Sequence, residues 1–231
     1  MMERRKFLTT AAVGGAAAAA AAGSFPAPAI SQGKVEWRMV TTWPKNFPGQ
    51  GTAAERFAKS VADATDGRLT IKVFAAGELV PAFESFDAVT RGAADMMHAS
   101  PYYWQNKSKA TNFFSTVPYG LTTNELNAWM DYGGGQQLWD ELYAGFNLKG
   151  FHGGSTGVQM GGWFNKEINS VADLNGLKMR IPGLGGDALR KLGVTVVNLP
   201  GGEIFGALQS GTIDATEFVG PFNDMALGFF K

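Results

Sequence analysis

Arg180, Glu217 and Gln159 are the residues whose types and surroundings point most directly to chemistry. Arg180 closes the run Leu177-Lys-Met-Arg180-Ile-Pro182 and presents a planar fork of donors that matches a carboxylate through two hydrogen bonds. Glu217 lies in Asp214-Ala-Thr-Glu217-Phe218-Val-Gly-Pro221, a carboxylate beside an aromatic at the end of a short strand. An anionic ligand needs the arginine, whereas a bare glutamate repels it. A hard cation shared by Glu217, the Gln159 side-chain oxygen and ligand oxygens resolves that conflict, because Na+ and Ca2+ take oxygen donors. Two plainer readings stand beside it: Arg180 in a surface ion pair, and Glu217 in a salt bridge to Arg180.

The elements that position these residues can be read locally. Ser170 caps a single helical turn over Val171–Leu174, with Asp173 in the place of a capping-box glutamate, and Asn175-Gly176 ends it in the left-handed region. Leu177, Met179 and Ile181 alternate with Lys178 and Arg180 as in a half-buried strand, which Pro182 stops. Arg180 is thereby set at a strand's carboxyl end, where open α/β sheets bind ligands. Upstream, Val35 to Thr41 alternates as a first strand. The loop Thr42–Gly49 follows, then a helix with Ala54, Phe57, Ala58 and Val61 on one face, a stop at Thr65-Asp66-Gly67 and a strand over Leu69–Phe74. This β-α-β succession predicts α/β architecture with parallel, doubly wound sheet.

One pattern recurs. Phe86-Asp-Ala88-Val-Thr-Arg-Gly92-Ala-Ala-Asp95 and Phe205-Gly-Ala207-Leu-Gln-Ser-Gly211-Thr-Ile-Asp214 share Phe-x-Ala-apolar-x-x-Gly-x-x-Asp. Each reads as a helix, a glycine just past its end and a strand, which suggests two similar lobes, at 34–154 and 155–231. Between the copies, Glu125–Leu142 reads as two helices packed by aromatics and interrupted at Gly133–Gly135. A strand near Lys149–Gly154 carries the chain across to the second lobe.

Composition narrows the function. The chain has no cysteine and two histidines, so thiolate metal sites are excluded and a histidine-based catalytic cluster is disfavoured. Gly183-Leu-Gly185-Gly186 and Gly133-Gly-Gly135 both lack the Gly-x-Gly-x-x-Gly spacing of a dinucleotide loop. Residues 1–31 combine Arg4-Arg5-Lys6-Phe7-Leu8, an Ala/Gly-rich run and Ala27-Pro-Ala29, the three parts of an export signal of twin-arginine type, and a short linker. Without Glu3, Arg4, Arg5 and Lys6 the balance is 17 basic to 19 acidic residues, which argues against a nucleic-acid partner. At the other end, Phe218–Lys231 reads as a loop entering an apolar helix that stops without a polar tail, so truncation of the second lobe is expected.

The presequence, the two-lobe pattern, Gln159, Leu174-Asn-Gly-Leu-Lys-Met-Arg180 and Asp214-Ala-Thr-Glu217-Phe-Val-Gly-Pro221 together resemble the extracytoplasmic solute-binding subunits of TRAP transporters, in the branch that binds α-keto acids. The resemblance implies a periplasmic binding protein of type II architecture, incomplete at its C-terminus. It further implies a receptor that takes a small 2-oxo or 2-hydroxy monocarboxylate such as pyruvate with a bridging Na+ or Ca2+, and that has no organic cofactor and no catalytic residues. Membrane permease subunits would be its partners, and a homodimer its full-length form. On the family's pattern Arg180 holds the ligand carboxylate, Gln159 contacts ligand and metal, and Glu217 binds the ion. Phe218 stands where that branch commonly has Trp, keeping an apolar wall without an indole N–H. Substrate-binding candidates are therefore Gln159, Arg180, Phe218 and, from loop position and residue type, Tyr103; Tyr102, Trp43 and Phe47 are further wall candidates. Metal candidates are Glu217, Gln159 and Phe218. A secreted metal-assisted enzyme using Glu217, or a sensory receptor, is the alternative.

Overall fold

Two small sheets, of three and four strands, carry the chain's chemistry at their strand ends. In the first, β1 (Val35–Thr41) lies between β2 (Leu69–Phe74) and β3 (Met96–His98), all parallel, with Val35 opposite Leu69 and Met39 opposite Met96. In the second the order is β4 (Trp163–Phe164), β7 (Ala215–Thr216), β5 (Lys178–Arg180), β6 (Thr195–Val197). There β5 pairs in parallel with both β6 and β7, and β4 runs antiparallel to β7. These positions come from a computed structural model that describes residues 33–231, so the export signal and linker read at 1–31 lie outside the described residues. Lys34–Lys231 form one compact unit.

Helices α1 (Gln50–Ala64) and α2 (Ser85–Thr90) connect the strands of the first sheet; α5 (Gly183–Arg190) and α6 (Gly201–Gln209) connect those of the second. Helix α1 buries Gly51, Ala54 and Ala58. It stops at Thr65, whose hydroxyl donates to the Val61 carbonyl at 2.8 Å. The left-handed Asp66 (φ 50°) and Gly67 (φ 69°) then reverse the chain into β2. Between the sheets, α3 (Thr123–Tyr132) and α4 (Gly135–Ala144) form a hairpin broken by left-handed Gly134. Phe114 stacks on Trp139 at 5.2 Å and on Trp129 at 5.8 Å, so these aromatics pack the interior as read from the sequence.

The sequence echo corresponds to a structural one. Gly92 (φ 74°) and Gly211 (φ 69°) each follow a helix in the left-handed conformation. Three residues on, Asp95 and Asp214 do the same work. The Asp95 carboxylate accepts the Arg38 amide at 2.7 Å while its own amide donates to the Arg38 carbonyl at 3.0 Å. Asp214 binds Lys178 in the same way, at 2.9 and 2.7 Å. Each aspartate thus clips the strand after its helix to an inner strand of its sheet, β1 in the first and β5 in the second.

Local expectations fail in four places. The turn Val171–Leu174 is 3-10 helix, and the Asp173 carboxylate accepts the Ser170 amide at 2.7 Å, but only Gly176 is left-handed while Asn175 is extended. No strand forms at Lys149–Gly154; in this glycine-rich stretch Gly150 is buried against Trp139, the rest is exposed, and no strand pairs with it. The short strand expected before Glu217, over Thr212–Thr216, is confined to Ala215–Thr216. Arg180 breaks the predicted alternation: Lys178 is exposed, whereas Arg180 is buried with Leu177 and Met179.

Candidate functional site

Arg180 is the last residue of β5 and is completely enclosed, which overturns the surface ion pair. A buried guanidinium must have its donors satisfied. Its Nε donates to the Leu199 carbonyl at 2.9 Å and Nη1 to the Glu217 carbonyl at 2.6 Å, while Nη2 reaches the Tyr103 hydroxyl at 3.5 Å. The guanidinium carbon lies 5.0 Å from the centre of the Phe218 ring, in cation–π geometry. Four of the sequence candidates, Arg180, Glu217, Phe218 and Tyr103, therefore meet at one point.

Glu217 follows directly from β7, and its amide donates to the Arg180 carbonyl at 2.9 Å, prolonging the β5–β7 ladder beyond the strands. Its side chain is buried, with Oε2 3.9 Å from Arg180 Nη1 and Oε1 without any hydrogen-bond partner. The salt bridge considered from the sequence is thus a long contact that leaves half of the carboxylate unsatisfied. Burial pushes the Glu217 carboxyl up to about 7; the Asp224 charge adds to the rise and Arg180 opposes it. Gln159 arrives from the extended segment before β4, its Nε2 donating to the Phe218 carbonyl at 3.0 Å.

The unpartnered Glu217 oxygen, the carbonyl of the next residue, Phe218, and the Gln159 amide bonded to that carbonyl offer oxygen donors and one negative charge. Turning the Gln159 amide about its last torsion presents its oxygen in place of its nitrogen. Among the described residues no three His, Cys, Asp or Glu gather, and a single carboxylate with neutral oxygens suits Na+ or Ca2+. The residues present fit the expected ion.

The opposite wall comes from the first sheet's loops. Tyr102 and Tyr103 lie in a 3-10 turn at Pro101–Trp104, their rings 4.7 Å apart edge to face. Burial raises the Tyr102 phenol well above its ordinary range, so it remains a neutral donor. Trp43 donates its indole N–H to His98 Nδ1 at 2.9 Å and packs on Tyr103. Phe47 meets the Phe218 ring edge to face at 5.7 Å. A separate apolar cavity of about 500 Å³ lies between the α3–α4 hairpin and the segment before it, lined by residues such as Phe113, Leu121, Trp129 and Leu138. Among its lining residues there is no charged group to hold an anion.

Sequence reading missed Asn223 and Asp224, in the first turn of α7 (Pro221–Leu227). Asp224 is fully buried and accepts the Trp163 indole N–H at 2.8 Å and the Val219 amide at 3.1 Å, bracing the Glu217–Gly220 turn. An acidic residue in a helix's first turn, just after a proline, was the available signal. The Leu199 carbonyl left no such mark, since backbone acceptors are the same in every sequence.

Residues 39–231 match the family of bacterial extracellular solute-binding proteins, family 7, also called DctP. The chain belongs to this family. Among its DctP relatives, the monocarboxylate 2-oxoacid-binding periplasmic protein of Nostoc sp. (strain PCC 7120) is 53% identical over 197 residues, which cover 85% of this chain and 54% of that protein. A TRAP periplasmic solute-binding protein from Pseudoalteromonas atlantica, solved with bound sodium and pyruvate, is 49% identical with a TM-score of 0.83, covering 85% of this chain and 60% of that one. One from Bordetella bronchiseptica, with calcium and picolinate in its active site, is 45% identical with a TM-score of 0.84, covering 85% of this chain and 59% of that one. The DctP chain described here therefore spans between about half and three fifths of the length of these relatives.

Proposed function

We infer that the protein is the periplasmic receptor of a TRAP-type transporter, and that it captures a small 2-oxo monocarboxylate such as pyruvate together with Na+ or Ca2+ for delivery to a membrane permease. The single observation that carries this reading is the enclosed Arg180 guanidinium beside a buried Glu217 carboxylate with one oxygen unpartnered. An arginine alone would suit many anions; an arginine next to an unneutralised carboxylate calls for an anion and a cation together. Relatives solved with sodium and pyruvate, or with calcium and picolinate, carry that pair of ligand types. Export across the inner membrane by the twin-arginine route and division into lobes at 34–154 and 155–231 belong to the same proposal.

In this reading Arg180 turns one or both of its Nη groups from the Glu217 carbonyl and Tyr103 hydroxyl to the ligand carboxylate. Tyr102 and Tyr103 offer hydroxyl donors, and Phe218 and Phe47 exclude water from the pair. Glu217, Gln159 and the Phe218 carbonyl hold the ion, which supplies the positive charge that lets a carboxylate lie against Glu217. No bond is made or broken.

Calorimetry with pyruvate tests this. Binding is expected with Ca2+ or Na+ present and is expected to weaken at least about tenfold after chelation and desalting. Arg180→Ala is expected to abolish the heat of pyruvate binding. Pyruvate binding of unchanged affinity in that variant, or no binding of any 2-oxo acid by the wild type, overturns the assignment.

A further inference from the structure

The loop Trp43–Gln50 carries Trp43 and Phe47 from the first sheet to the Arg180 site, and it is folded tightly on itself. The Phe47 amide donates to the Pro44 carbonyl at 3.1 Å, and the Thr52 amide to the Phe47 carbonyl at 3.1 Å. Asn46 (φ 59°) and Gly49 (φ 78°) both occupy the left-handed region. A methyl group at Gly51 would come within 2.9 Å of the Pro44 carbonyl. These turns brace the loop internally, and its Trp43 end is tied to the first sheet through His98.

Its other end, beyond the apolar contact of Phe47 with Phe218, is held by Asn223. This side chain is buried, and its Nδ2 donates to the Pro48 carbonyl at 2.8 Å and to Gln50 Oε1 at 3.3 Å, across a sequence separation of 175 and 173 residues. The next residue, Asp224, binds in the other direction, to the Val219 amide and the Trp163 indole. Both amides, of Asn223 and of Asp224, donate to the Gly220 carbonyl at 3.1 and 2.9 Å, so the two side chains start from one fixed point. The first turn of α7 is a two-sided clip. One jaw holds the turn that carries Glu217 and Phe218, and the other holds the loop that lays Phe47 on Phe218.

We propose that Asn223 is a positioning residue that docks the Trp43–Gln50 loop over the ligand and sets how long the ligand is retained. The inference rests on the receptor reading for its consequence but not for its geometry. The loop's own turns survive without Asn223 and Trp43 stays held by His98, so loss of the clip loosens the Phe47–Gln50 end of the loop while Arg180, Glu217 and the strands stay in place. Ligand escape then accelerates and encounter does not change, because affinity differences within one site lie mostly in the dissociation rate.

Two arms test this on the purified protein, with Asn223→Ala and the isosteric Asn223→Asp, which keeps the shape and loses both donated bonds. By stopped-flow fluorescence with pyruvate and Ca2+, both variants should raise the dissociation rate about tenfold and leave the association rate within about twofold. A merely structural defect would not divide in that way. By hydrogen exchange without ligand, the amides of residues 47–53 should exchange about tenfold faster in both variants, while β5 and β7 keep wild-type protection. If the wild type binds no 2-oxo acid, the receptor reading fails and the exchange arm still decides the clip. Wild-type protection of the loop in a folded Asn223→Asp protein overturns the proposal, as does an unchanged dissociation rate.

Discussion

Glu217 is held where a carboxylate is at a disadvantage, enclosed and with Oε1 unpartnered. Its pH signature follows from burial lifting the carboxyl from its ordinary 4.5 to about 7. Below about pH 4.5 the group is neutral in both folded and unfolded chains and costs nothing. Between 4.5 and 7 the unfolded chain has released a proton that the folded protein still holds, so stability falls as pH rises. Above 7 both are charged and the full penalty, about 3 kcal/mol, persists. In metal-free buffer Glu217→Gln should therefore melt higher than wild type by roughly 5–10 °C at pH 8, with the difference vanishing towards pH 4.5. The same variant should lose cation-dependent pyruvate binding, since the amide brings no charge. In the wild type, cation affinity should rise with pH up to about 7 and then level off, because the ion displaces the proton. Thermal melts across this range check the point, and a variant-minus-wild-type difference that is flat with pH would sink it.

At the scale of elements, the paired aspartate clips separate folding from binding. Asp95 and Asp214 make equivalent bonds to inner strands of their sheets, yet only Asp214 holds the strand that ends in Arg180. Alanine at either position leaves a strand amide without its acceptor and should cost about 1–2 kcal/mol in urea denaturation. Asp214→Ala should also weaken pyruvate binding severalfold as the start of β5 shifts, whereas Asp95→Ala should bind as wild type; equal binding in both would contradict this role. The repeat was legible because both halves need a residue at positive φ after a helix, and glycine supplies it without strain. Arg180 and Glu217 were legible as types at strand ends, and Phe218 and Tyr103 as aromatics beside them. The burial of Arg180 was not, since alternation assigns it to the side of exposed Lys178 and only the approach of Tyr103 and Leu199 encloses it. Asn223 was invisible for a related reason: its partner Pro48 is a backbone acceptor 175 residues away.

At the scale of the molecule, each sheet has a small buried cluster of its own, Val40 with Ala88 and Ala94 in the first and Leu177 with Met179, Val194 and Ala215 in the second, but the largest interior is common to both. One buried cluster takes Trp43, Phe47 and Phe86 from the first half and Ile204, Phe218 and Phe229 from the second. The polar contacts cross in the same way, from Arg180 to Tyr103, from Asn223 to Pro48 and from Lys109 to Asp187. Gly183, at the start of α5, lies where a methyl group would come within 3.2 Å of Tyr102, so backbone and aromatic meet directly there. A second sheet of two- and three-residue strands has little ladder of its own to stand on, and its own buried cluster is small, so the shared interior is its larger support. Both halves should therefore unfold in one step. In urea followed by pulsed hydrogen exchange, peptides from residues 35–98 and from 163–216 are expected to lose protection at the same midpoint. Phe47→Ala, which removes a ring from the shared cluster, should lower both midpoints together, by an amount in the 3–5 kcal/mol range of buried Phe truncations. A second sheet that melts at lower urea than the first, or a Phe47→Ala effect confined to the first, would show that the halves are stabilised separately and that the shared interior contributes little to the unit's stability.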